Sequence, residues 1–136
     1  MTAENTLSAL LVGDYKGDRL LVQEVFRKFG WKLFEARDRK KAIECLDRNS
    51  VHVVIAESDL PNWNWKRVLN DLRRRAKPPQ LVVTSRQADE TLWSEVLNVC
   101  GYDVMAQPLD SHEVERVISS ARRHYDYRPL TAGASF

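Results

Sequence analysis

The sequence predicts an α/β fold, a parallel sheet covered by helices on both faces, and three observations predict it. Short apolar runs alternate with amphipathic segments along the chain. The runs at Leu7–Val12, Val51–Ala56 and Leu81–Thr84 are nearly all apolar (His52 stands out), as strands buried on two sides require. Helix caps and stops fall between the segments. Parallel neighbours need a crossover, and a helix between successive strands supplies it.

Leu7–Val12 reads as the first strand. Asp18–Phe29 follows with Leu21, Val22, Val25, Phe26 and Phe29 at helical spacing, and Gly30 stops it. Trp31–Ala36 is a short second strand. Asp38 caps a helix with the stripe Ala42, Ile43 and Leu46. Val51–Ala56 is the third strand, Pro61 and Asn62 mark a loop, and Asn64 caps a helix carrying Val68, Leu69 and Leu72. Pro78-Pro79 end that helix before the fourth strand, Leu81–Thr84. Ala88–Val99 is helical, with Leu92, Val96 and Val99 on one face and Gly101 after it. Tyr102–Ala106 is the fifth strand. Asp110 or Ser111 caps a last helix through Val114, Val117, Ile118 and Ala121.

At 136 residues the chain suits one domain, expected over residues 7–124 between an N-terminal extension, 1–6, and a C-terminal tail, 125–136. A hydrophobic fraction of 43% is enough for one core. The net charge of +2 is too small to argue for nucleic acid. Cys45 and Cys100 sit far apart in apolar segments and read as buried, reduced thiols. No run approaches the roughly 18 apolar residues of a membrane span, and Met1–Asn5 does not look like a secretory signal. The cytoplasm is the expected location, with no membrane partner.

In open α/β sheets ligands bind beyond the carboxyl ends of the strands. Those ends are Gly13-Asp14, Glu57-Ser58-Asp59-Leu60-Pro61, Thr84-Ser85 and Gln107-Pro108. Acids, hydroxyls and an amide at four strand ends could converge on one polar pocket. Here the sequence resembles the receiver domains of two-component response regulators, from about Leu7 to Arg123. That resemblance implies a flavodoxin-like (βα)5 sandwich with strand order 2-1-3-4-5. It also implies an Asp that takes a phosphoryl group from a histidine kinase with Mg²⁺ assistance.

Position by position the match is partial. Asp14 matches the second acid of the family's pair, and Gly13 stands where the first should be. Glu57 occupies the phosphoacceptor position. Asp59 matches the residue whose carbonyl helps hold the metal, Pro61 the family proline, Thr84 the switch hydroxyl and Ser85 the small residue after it. Gln107-Pro108 replaces Lys-Pro, and Val104 replaces an aromatic switch residue. Phosphoryl transfer is mostly positioning and charge neutralisation. Gly13 removes a hard oxygen ligand, so Asp14, Glu57 and Asp59 would hold Mg²⁺ weakly if at all. Glu57 moves the carboxylate by about 1 Å, a misplacement that can cost ~10²-fold. It also extends negative charge toward the phosphoryl position, as a partial mimic. Gln107 can donate a hydrogen bond but cannot neutralise charge.

The expected function is therefore an atypical receiver, independent of phosphorylation, with no cofactor and no catalysis of its own. It would act through contacts with a histidine kinase or output protein, or as a homodimer through the fourth helix, fifth strand and fifth helix. Trp65, where the family has Gly, is expected at the surface as a contact residue, and Trp93 is a second candidate. Trp63 is expected in the core. The basic runs Arg39–Lys41 and Arg73–Arg75 with Lys77 read as solvated helix faces. Two alternatives remain: a receiver phosphorylated with Mg²⁺ at an unusual acceptor, and a flavodoxin-like binder of a small ligand or nucleotide. Against the second, Gly13-Asp14-Tyr15-Lys16-Gly17-Asp18 holds acids where a phosphate loop needs glycines.

Overall fold

The computed structural model describes residues 6–60, 62–86, 90–98 and 103–127. Its elements run β1 (Ser8–Val12), α1 (Arg19–Phe29), β2 (Lys32–Ala36), α2 (Arg39–Arg48), β3 (Val53–Glu57), β4 (Asp59–Leu60), β5 (Trp63–Asn64), α3 (Trp65–Arg73), β6 (Gln80–Ser85), α4 (Glu90–Asn98), β7 (Asp103–Ala106) and α5 (Ser111–Asp126). Five strands form one sheet in the order β2-β1-β3-β6-β7, and every neighbouring pair is parallel. With the short antiparallel pair β4-β5 set aside, this is the expected order 2-1-3-4-5. That pair, which the sequence reading treats only as a loop, carries Asn62 at a φ of 60°.

Alternation along each strand divides the core into two layers. Leu10, Val12, Val54, Leu81 and Val83 face α2, α3 and α4, while Ala9, Leu11, Val53, Ile55 and Val82 face α1 and α5. The predicted caps form: the Asp38, Asn64 and Asp110 carboxyl or amide oxygens accept the N–H of Lys41, Arg67 and Glu113. Gly30 ends α1 at a φ of 70°. Asp18 precedes α1 without capping it. Helix α5 runs to Asp126, beyond the expected boundary at residue 124.

Two expectations about side chains fail. Trp65 is 6% exposed, not at the surface. Trp65, Val68, Leu69 and Leu72 are spaced i, i+3, i+4, i+7, so the Trp simply begins the buried stripe of α3. Cys45 is half-buried beside the Asn49 amide, because it lies at the edge of the Ala42–Leu46 stripe. Trp63 is buried as expected, and its Nε1 donates to Asp71 Oδ2. Cys100, Pro61 and the tail from residue 128 lie outside the described residues.

Candidate functional site

The parallel sheet brings the predicted strand ends together. The β3–β6 register pairs Glu57 with Thr84, and β6–β7 pairs Thr84 with Met105 and Ser85 with Ala106. A cleft of about 640 Å³ opens there, with Glu57, Ser58, Thr84, Ser85 and Gln107 on its floor and Trp65, Lys66, Arg86 and Leu92 among its walls. Lys66 and Arg86 were not singled out by sequence, since surface cations beyond a motif carry no pattern. A second cleft, about 390 Å³, lies beside Lys16, Asp18, Arg86, Gln107 and Pro108.

The register Val12↔Ala56 sets Gly13 beside Glu57, just past the last paired residues. The Glu57 side chain folds back over Gly13, and its Oε1 accepts the Asp14 N–H at 3.1 Å. A Cβ on Gly13 would lie 2.8 Å from Glu57 Cδ, 2.9 Å from Cγ and closer still to Oε1. Gly13 also holds a φ of 135°, which favours glycine. The carboxylate thus reaches a backbone donor at the end of β1, beside the position of the missing acid.

The other departures also have partners. Gln107 Nε2 donates to Asp18 Oδ2 at 3.1 Å, and Asp18 Oδ1 accepts the Leu109 N–H at 3.2 Å. The Gln107–Pro108 peptide is cis. The Tyr15 hydroxyl lies 2.6 Å from Thr84 Oγ1, and both residues are 0% exposed. Burial raises the Tyr15 pKa well above its ordinary value; the Thr84 bond opposes this, and the charges of Glu57 and Asp18 reinforce it. The phenol therefore stays neutral. Arg19 Nη2 donates to the carbonyls of Gly13 and Asp14, and Nη1 pairs with Glu35 at 2.8 Å. Tyr15, Asp18 and Arg19 escaped the sequence reading because they follow the motif acids. Only the unusual density of polar groups in this loop hinted at them.

The oxygens expected to hold the family's Mg²⁺ sit in unlike settings. Asp14's carboxylate is half-exposed with Lys16 Nζ at 4.0 Å, and Glu57 Oε1 accepts a backbone N–H. Gly13 offers no side-chain oxygen, and the Asp59 side chain lies outside the described residues. Among the described residues no three metal-competent side chains cluster. Trp93, on α4, is 50% exposed, so it remains available for contact. No helix among the described residues is long and apolar enough to cross a membrane.

Comparison with known proteins agrees with this fold. The family model for the response regulator receiver domain matches residues 9–119. The chain is 28% identical over 122 residues to the uncharacterized transcriptional regulatory protein YrkP of Bacillus subtilis, an overlap of 88% of this chain and 51% of that protein. It thus spans about half of YrkP's length. It is 20% identical over 109 residues to sporulation initiation phosphotransferase F of the same organism, covering 80% of this chain and 88% of that one. Among solved structures it resembles a response regulator receiver domain protein from Clostridium thermocellum, with a TM-score of 0.78, 12% identity, and coverage of 90% of this chain and 99% of that one. It also resembles a chain in the Saccharomyces cerevisiae co-crystal of the histidine phosphotransfer protein Ypd1 with the receiver domain of Ssk1. There the TM-score is 0.74 at 14% identity, covering 88% of this chain and 90% of that one.

Proposed function

The chain belongs to the response regulator receiver domain family of two-component signalling, and on that premise we propose that it signals without aspartyl phosphorylation. It works by protein contact and catalyses no reaction of its own. The observation that carries this reading is the Glu57 carboxylate folded over Gly13 onto the Asp14 N–H. In that position one of its two oxygens, Oε1, is held by the backbone of the β1–α1 loop. Gln107, held by Asp18, supplies no positive charge to a transferred group. The site keeps no resident cofactor.

The partner is a histidine kinase, a histidine phosphotransfer protein or an output protein. A complex of the last-but-one kind is the setting of the Ssk1 receiver among the structural relatives. The face formed by α4, β7 and α5, with Trp93 half-exposed on it, is the surface for an output partner or a second copy. The cytoplasm is the compartment that two-component signalling implies.

Incubation with acetyl phosphate and Mg²⁺, followed by intact mass measurement, tests the central point. The expected result is unmodified protein. A phosphoryl mass increment that disappears in Glu57→Ala or Asp59→Asn would refute it.

A further inference from the structure

The geometry points to a clamp: the β1–α1 loop, through Tyr15 and Asp18, fastens the carboxyl ends of β6 and β7 and fixes the domain in one signalling conformation. The inference deepens the proposed function. It assigns the fixed state to internal bonds rather than to the charge of Glu57.

The clamp has two prongs from one short loop. Tyr15 reaches Thr84 on β6 with a hydroxyl pair 2.6 Å apart in a fully buried setting. Asp18, 6% exposed, holds both the Gln107 side chain and the Leu109 N–H just beyond β7. The loop is itself fastened. The Tyr15 carbonyl accepts the N–H groups of Asp18 and Arg19, and Arg19 grips the carbonyls of Gly13 and Asp14. Tyr15 sits at a φ of 51°, unusual for an aromatic residue, so its surroundings hold it in place. The consequence lies at the position that the resemblance marks as the switch. A hydroxyl there can respond to a ligand only if it can turn. Thr84 Oγ1 is already paired, and its carbonyl accepts the Ser58 N–H at 2.8 Å. The neighbouring residue Val104, where an aromatic would be expected, is buried in the core and has no hydroxyl to compete. A buried polar pair left half-satisfied is unfavourable, so opening one prong is resisted.

Hydrogen exchange at single amides tests the clamp with no phosphodonor present. Tyr15→Phe keeps the ring and removes one hydroxyl. The expected result is exchange faster by about 5- to 30-fold at the amides of Ser58 and Gln107, which donate to the Thr84 and Ser85 carbonyls. The amides of His52 and Gln80, at the opposite end of the sheet, should change less. Thr84→Val should reproduce the pattern, and Glu57→Gln should leave it unchanged. Equal change at both ends would mean that Tyr15 merely adds global stability, and no change at either end would mean that its bond constrains nothing. Either result overturns the clamp, as does a Glu57→Gln variant that loosens the same amides. Phosphorylation by acetyl phosphate would instead refute the proposed function and leave this exchange pattern standing, so the two failures are distinguishable.

Discussion

Gly13 and Glu57 should behave as one unit, and a double-mutant cycle measures this. Gly13→Ala places a methyl group on a backbone with a φ of 135°, a strain of about 1–3 kcal/mol. The new Cβ also expels Glu57, because Cδ and Cγ would lie 2.8 and 2.9 Å away. Expulsion breaks the bond from the Asp14 N–H. Since that bond is partly solvated, its loss costs about 1 kcal/mol. Gly13→Ala alone should therefore cost about 2–4 kcal/mol, the sum of strain and lost bond. Glu57→Ala alone should cost only the bond, about 1 kcal/mol. In the double variant the bond is lost once, so the two changes should fall short of additivity by about 1 kcal/mol. Urea unfolding of the four proteins, with midpoints and slopes compared, reads the coupling. Additivity within about 0.3 kcal/mol would refute the packing of Glu57 over Gly13.

Other expectations follow from individual contacts. Trp65→Ala empties part of the α2–α4 layer and should lower stability by about 3–5 kcal/mol, whereas Trp93→Ala should stay within about 0.5 kcal/mol; chemical denaturation distinguishes the two. Asp18→Asn sets an amide N–H against one of two N–H donors, so hydrogen exchange near Leu109 should quicken while the amide of Ser58 holds. Glu57→Asp frees the Asp14 N–H yet leaves Gln107 uncharged, so intact mass after acetyl phosphate treatment should still show unmodified protein. His52 has its pKa lowered from 6.5 by burial and then by Arg122, with Lys77 adding to this and Asp126 opposing it. Its folded state binds fewer protons than the unfolded chain, so stability should be present above 6.5 and decline as pH falls through that value. Unfolding midpoints between about pH 5 and 7.5 should show this slope, and His52→Asn should reduce it.

The sheet was legible because its strands and helices differ in period, and because caps are short-range chemistry that a sequence displays directly. Asp38, Asn64 and Asp110 needed only a polar side chain ahead of an apolar stripe. The burial of Trp65 was legible in the same spacing, but comparison with a glycine in the family outweighed the stripe it completes. The site was legible in its membership and not in its bonding. The strand ends meet because parallel register leaves little choice. Which way Glu57 folds depends on Gly13 having no side chain, a relation across 44 positions that neither residue displays alone. Tyr15 and Thr84 are 69 positions apart, and Asp18 and Gln107 are 89 apart. Such pairs are products of topology, out of reach of local pattern.

These pairings change what the departures mean. Gly13, Gln107 and Val104, taken singly, are losses of a ligand, a counter-charge and an aromatic. In the fold the first two are matched: Gly13 makes room for Glu57, and Gln107 is held by Asp18. Near the third, the switch hydroxyl of Thr84 is satisfied by Tyr15 from the other side of the pocket. A pocket that had merely decayed would be expected to leave polar groups without partners, because each such group is costly when buried. Thr84, Asp18 and Tyr15, all buried, have theirs. The same bonds tie the carboxyl ends of β6 and β7 to the β1–α1 loop, so under the proposed function the loss of phosphotransfer and the fixation of the state would share one structural cause in that loop.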